Sequence, residues 1–169
     1  GKNLDAYELD RAAHAIDNFI DDLSNWYTRR SRDRFKSEDA VDRQAAIVTT
    51  QFVLRELTKV MAPFTPFIAE EIYQKLKNAH DPESVHLCVW PEVGMLDEKL
   101  ISEMAATRKL VELGLAARME AGIKVRQPLA KLKIKTQLES GYLELIADEM
   151  DVKQVVVDLK NKNEVELDV

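Results

Sequence analysis

His14, His80 and His86 are the side chains best suited to proton transfer or metal binding, and their spacing serves neither. No cysteine or second histidine stands three or four residues from any of them, the interval at which one helix face offers two ligands. No metal is expected. His14 suits a solvated helix position, and His86 a half-buried packing position in an alternating segment. Glu70 and Glu71 are adjacent carboxylates, but neighbours on a helix point about 100° apart and cannot face one substrate. Acids early in a helix answer its dipole instead. The five glycines stand singly, with no G-x-G-x-x-G or G-K-S/T run to cradle a phosphate. No catalytic residue and no cofactor of this chain are therefore expected.

Recognition chemistry is what remains. The formal net charge is -6 and the pI about 5.2, which runs against binding a polyanion. Yet between Trp26 and Lys36 lie Arg29, Arg30, Arg32, Arg34 and Lys36 against the single acid Asp33, a local balance of +4. With Ile16 set at zero and about 100° per helical residue, Phe19, Ile20, Leu23 and Tyr27 cluster within roughly 60° of it. Asn25, Arg29, Arg32 and Lys36 fall on the opposite side, at roughly 160° to 220°, aimed at solvent. Trp26 lies beside the apolar stripe at about 280°, where an indole can pack by one edge and still offer a face. Arg30 and Arg34 fall on the apolar side and are expected to pair with acids of a neighbouring helix. Single-stranded RNA is read by stacking bases on aromatic or guanidinium planes while cations hold its backbone, and this segment supplies both residue types. The competing reading is an ordinary solvated face on a helical scaffold or protein-interaction module.

These residues need a rigid element beneath them. From Leu4 to Phe35 there is neither glycine nor proline, which predicts one long first helix. Ser37-Glu38-Asp39 offers a cap for a second helix ending at Ala62-Pro63, and Thr65-Pro66 starts a third that fades near Asn78. Val85, Leu87 and Val89 alternate with polar or small residues, as an extended crossover would. Asp97 can cap a fourth helix that Gly122 stops. Beyond it, Leu132 and Ile134 alternate with lysines, Tyr142 to Met150 reads helical, and Val155 to Leu159 alternates again. Asn161-Lys162-Asn163 suits the turn of a terminal hairpin with Val165 and Leu167. The expected fold is mainly α: a bundle of about four helices over residues 1–122, then a small β-α-β-β subdomain over residues 123–169.

The length of 169 residues suits one core plus a small module, and no apolar run approaches the roughly 20 residues of a membrane span. The N-terminal residues lack the apolar core and cleavage site of a signal peptide. A lone Cys88 cannot form an internal disulfide and suits a reducing compartment, so a cytoplasmic location and a monomer are expected.

The segment Asn25-Trp26-Tyr27-Thr28-Arg29-Arg30-Ser31-Arg32-Asp33-Arg34-Phe35 closely resembles the N-W-Y-x-R-R-S-R-D-R-F signature of the isoleucyl-tRNA synthetases, in the branch that includes the eukaryotic-type enzymes. Ala62-Pro63-Phe64-Thr65-Pro66-Phe67-Ile68-Ala69-Glu70-Glu71-Ile72-Tyr73, Ser84-Val85-His86-Leu87 with Trp90-Pro91, and Lys124-Val125-Arg126-Gln127-Pro128-Leu129 resemble the same family in the same order. The run from Ala62 to Glu71 is shared with valyl- and leucyl-type relatives, which leaves them as the alternative cognates. The resemblance implies the anticodon-binding bundle of a class I synthetase, with isoleucine tRNA and the catalytic domain of the same polypeptide as partners. ATP and Mg are implied for the full-length enzyme, whose signatures His-x-Gly-His and Lys-Met-Ser-Lys-Ser do not occur in these residues. On this reading of the first helix and its neighbouring loops, base contacts are expected from Asn25, Trp26, Arg29 and Arg32, and phosphate contacts from Lys36 and Arg126. Lys36 stands where the family often has tryptophan, so no stacking role carries over to it. Arg126-Gln127-Pro128 stands where bundle meets appendage and equally suits a hinge.

Overall fold

The computed structural model describes residues 2–168; Gly1 and Val169, at the outer ends of the two expected domains, lie outside that range. The chain forms two compact units, one running through Val93 and one beginning at Gly94.

The first unit is helical, but its opening segment is not one helix. α1 (Lys2–Asp5) and α2 (Leu9–Asp22) are separated at Tyr7, whose φ of 58° is left-handed. There the Glu8 N–H reaches back to the Asn3 carbonyl at 2.8 Å and closes the first turn. A π-helical turn follows at Leu23–Thr28, a second break falls at Ser31, and α3 covers Arg32–Phe35. Neither interruption uses glycine or proline, so the sequence pattern carries no mark of them.

α4 (Ala40–Met61) is capped by Asp39, whose carboxylate accepts from the N–H groups of Val41 at 2.9 Å and Asp42 at 3.4 Å. Ser37 Oγ instead accepts from the Asp39 N–H. α5 (Pro66–Leu76) begins with proline at its first turn, as expected, although the Thr65 hydroxyl makes no cap and donates back to the Met61 carbonyl. Its Ala69 and Tyr73 are buried against Ala62 and Val85, with Met61 and Cys88 at the margin. The expected extended crossover is a 3-10 turn at Val85–Leu87. Glu70 accounts for the difference: its carboxylate accepts from Ser84 Oγ and the Val85 N–H, both at 2.9 Å, drawing the backbone into a turn. Val85 is buried as a result, while Leu87 and Val89 are exposed. His86 is exposed too, not half-buried.

The strongly amphipathic α2 has no fully buried residue. Its apolar face opens on a cleft of about 560 Å³, where Ile16 and Phe19 confront Phe52, Leu57 and Val60 of α4 beside Trp90. The bundle core expected around Ile16 and Phe19 is therefore open on that side.

The second unit begins before α6 (Glu98–Glu120), whereas the sequence places the division near Gly122. α6 belongs here because it packs on α7 (Ser140–Met150) and on β3 (Val165–Asp168), and its Thr107, Leu110, Val111 and Arg118 are buried. Asp97 caps it through the Leu100 N–H at 2.9 Å. Gly122, with φ 69°, ends it; the Gly122 N–H bonds the Met119 carbonyl and the Ile123 N–H the Arg118 carbonyl, the paired closure that favours glycine at this position. β1 (Leu129–Ile134), α7, β2 (Val152–Val157) and β3 follow in the expected order.

No hairpin joins β2 and β3. The strand order is β2-β1-β3, with β1 parallel to β2 from Leu129↔Val152 to Ile134↔Val157 and antiparallel to β3 from Lys131↔Asp168 to Ile134↔Val165. β1 holds the buried Leu132 and Ile134, and covering it on both sides satisfies both of its backbone edges. Among the described residues there are seven α-helical segments where about five were expected, four in the bundle and one in the appendage, and the architecture is mainly α with a small α/β part. No helix of the described residues is long and apolar enough to cross a membrane.

Candidate nucleic-acid interface

The π turn decides how the basic segment is presented. A π turn closes i→i+5, and here the Arg29 N–H bonds the Ser24 carbonyl. One extra residue is thereby accommodated, which interrupts the regular helical register at this point. On an unbroken wheel Arg30 stands in the apolar sector, at about 320°. It is nevertheless exposed and adds a further cation to this surface.

Arg34 behaves as the helical wheel requires. Two of its guanidinium nitrogens lie 2.8 Å from one Asp42 oxygen, tying α3 to the first turn of α4 and raising the Arg34 pKa through that hydrogen bond. The same corner is held by Arg43, whose Nη1 donates to the Ser37 carbonyl, and by the Tyr27 hydroxyl, which donates to the Ala46 carbonyl at 3.4 Å. Ser31, at the break, is buried. The corner is anchored by Tyr27, Ser31, Arg34 and Arg43, and the other side chains project from it.

Those others include most of the predicted set. Asn25, Arg29, Arg32 and Lys36 are exposed, and Trp26 is half-buried. Arg29 Nε donates to the Asn25 carbonyl at 2.7 Å, which lays that guanidinium along the helix. Arg126 is also exposed but lies in the second unit, in the turn after α6. Sequence reasoning left Arg30 out of the exposed set, and it missed Arg43, whose acceptor is a backbone carbonyl that no sequence motif marks. What the first unit assembles is a charged surface with a partly open indole and anchored footing, suited to a polyanion carrying planar groups.

The chain matches the family described as the anticodon-binding domain of tRNA ligase over residues 1–136. It belongs to that family. The isoleucyl resemblance of residues 25–35 is also borne out by the relatives this anticodon-binding domain matches. It is 45% identical over 161 residues to the isoleucine–tRNA ligase of Clostridium kluyveri, covering 91% of this chain and 16% of that protein. It is 44% identical over 163 residues to that of Chlamydia caviae, covering 92% and 16%. For that of Streptomyces coelicolor the figures are 48% over 136 residues, 78% and 13%. The domain thus spans about one-sixth of the length of the relatives it matches.

The remaining motif residues have structural work. Glu70 accepts from Gln74, Val85 and Ser84, and these hydrogen bonds, Gln74 foremost, hold its carboxyl below the usual range. Glu71 pairs with Lys75 at 2.7 Å. Both carboxylates are thereby engaged by neighbouring groups of the first unit.

Proposed function

We propose that this domain binds the anticodon stem-loop of isoleucine tRNA, presenting it to a catalytic domain elsewhere in the same polypeptide that uses ATP and Mg. The observation that carries the reading is the exposure of Asn25, Arg29, Arg30, Arg32 and Lys36 around a half-buried Trp26, in a domain of the anticodon-binding family. Isoleucine is the cognate named for each of the relatives above, which favours it over valine or leucine. Asn25, Trp26, Arg29 and Arg32 contact bases; Lys36 and, from the second unit, Arg126 contact phosphates. The domain acts as a monomer in the cytoplasm.

Titration of labelled isoleucine tRNA against a version with a swapped anticodon tests it. The native tRNA should bind more tightly, and Arg29→Ala with Arg32→Ala should cost on the order of 1–3 kcal/mol per lost base contact. Equal binding of both tRNAs, unaltered by those substitutions, would leave a helical scaffold as the better description.

A further inference from the structure

Arg118 is the largest side chain with no exposure at all, and no carboxylate neutralises it among its hydrogen-bond partners. A buried guanidinium ordinarily needs an anion. Here backbone carbonyls stand in. Arg118 Nη1 donates to Lys124 O at 3.0 Å and to Gln127 O at 2.9 Å. Nη2 donates to Met150 O and to Asp151 O, the latter at 3.3 Å, and Nε has no partner. Met150 is the last residue of α7, and Arg118 itself lies in the last turn of α6. The guanidinium therefore sits where the negative ends of two helix dipoles meet, which stabilises a cation without a formal counter-charge.

The two Nη1 acceptors are the two ends of one tight turn. The Gln127 N–H also bonds Lys124 O, at 3.0 Å, so Lys124 and Gln127 close a four-residue turn with Val125 and Arg126 at its tip. Carbonyls drawn inward at both ends leave the tip projecting away, and Lys124, Val125, Arg126 and Gln127 are all exposed. Lysine at 118 would keep the charge, but an ammonium lacks the planar fork that reaches two pairs of carbonyls at once.

We propose that Arg118 is a positioning residue for RNA: gripping both ends of the turn from within, it fixes Lys124 and Arg126 as a rigid pair of cations that takes backbone phosphate. This rests on the tRNA-binding reading and extends it to a residue that cannot touch the ligand.

The test measures the affinity of isoleucine tRNA across a salt series, with amide exchange over residues 123–127. Lys124→Ala with Arg126→Ala should lower the slope of log K against log salt by about 1.5, two phosphate contacts' worth. Arg118→Lys leaves net charge unchanged, yet should lower the slope by a similar amount and speed exchange in the turn. Adding Arg118→Lys to the double substitution should cost nothing more. A merely structural Arg118 would lower the melting temperature and leave the slope of the folded protein intact, which overturns the proposal, as would additive losses in the combined variant. Should Arg118→Lys not fold, two glycines inserted between Val125 and Arg126 loosen the tip with Arg118 retained; wild-type binding by that variant is equally fatal. If Arg29→Ala with Arg32→Ala weakens binding while the Lys124 and Arg126 pair does not, the helix-end reading stands and this one falls.

Discussion

Arg32 and Arg34 are two residues apart, and the helix sends them to different tasks. Arg34 is committed to Asp42 with both side chains about two-fifths exposed, so solvent and salt screen the pair. Arg34→Ala should lower the melting temperature slightly at low ionic strength and not measurably at high; an undiminished loss in strong salt would mean the contact is packing, not charge. Glu70 is the other residue whose role the geometry settles. Its folded-state pKa is depressed, so the stability it contributes is complete above the unfolded value, about 4.3 for glutamate, and is lost as pH falls through the lower folded value. Glu70→Gln should therefore destabilise at neutral pH, and its gap from wild type in urea unfolding should close as the solution is acidified below the ordinary carboxylate range. A gap that stays constant down to the acid limit would show that the carboxylate charge is not what holds Ser84 and Val85.

At the scale of elements, what could be read in advance was whatever leaves a local chemical mark. Asp97, Gly122 and Pro66 punctuate helices through backbone chemistry that belongs to their own positions, and each stands where its residue type demands. The polar face around Asn25 to Lys36 was legible for the same reason, except at Arg30, which a regular helical wheel puts on the apolar side and the structure exposes. The placement of β3 beside β1 was also hidden: Asn161 to Asn163 is good turn chemistry whichever strand it delivers the chain to. Gly114 is a mark of another kind, since in mid-helix it costs about 1 kcal/mol relative to alanine. A Cβ there would lie 2.6 Å from Met150 Cε and 2.9 Å from Sδ, with Met150 fully buried. Overpacking of that sort costs roughly 1–3 kcal/mol, so Gly114→Ala should be net destabilising or neutral in the wild type. Placed on Met150→Ala it should instead stabilise by about the helix-propensity difference. A double-mutant cycle by denaturant unfolding that shows no coupling would remove close approach of α6 and α7 as the reason for this glycine.

Over the whole molecule the charge is negative, so the proposed RNA partner has to be met by a surface that locally reverses it. Arg29, Arg30, Arg32 and Lys36 are exposed on the first unit, and Lys124 and Arg126 on the second, in a chain with 30 acidic residues against 24 basic ones. Two consequences follow from the counterions condensed on a nucleic acid. Each phosphate neutralised releases less than one ion, with a slope near −0.7 per contact for single strands and −0.9 for duplex. If those six cations all meet phosphate, the slope of log K against log salt for tRNA should be about −4 to −5, whereas a bulk acidic protein without such a surface should show almost no specific term. Cations that read bases contribute less to the slope than to affinity. Arg29→Ala with Arg32→Ala should thus cost binding at every salt concentration while flattening the line by less than the 1.4 or so that two pure phosphate contacts would remove. Lys36→Ala should do the reverse, flattening the line by about 0.7 with only a small loss at low salt. Equal flattening by all three substitutions would assign Arg29 and Arg32 to the backbone, and discrimination between anticodons would then have to come from Asn25 and Trp26.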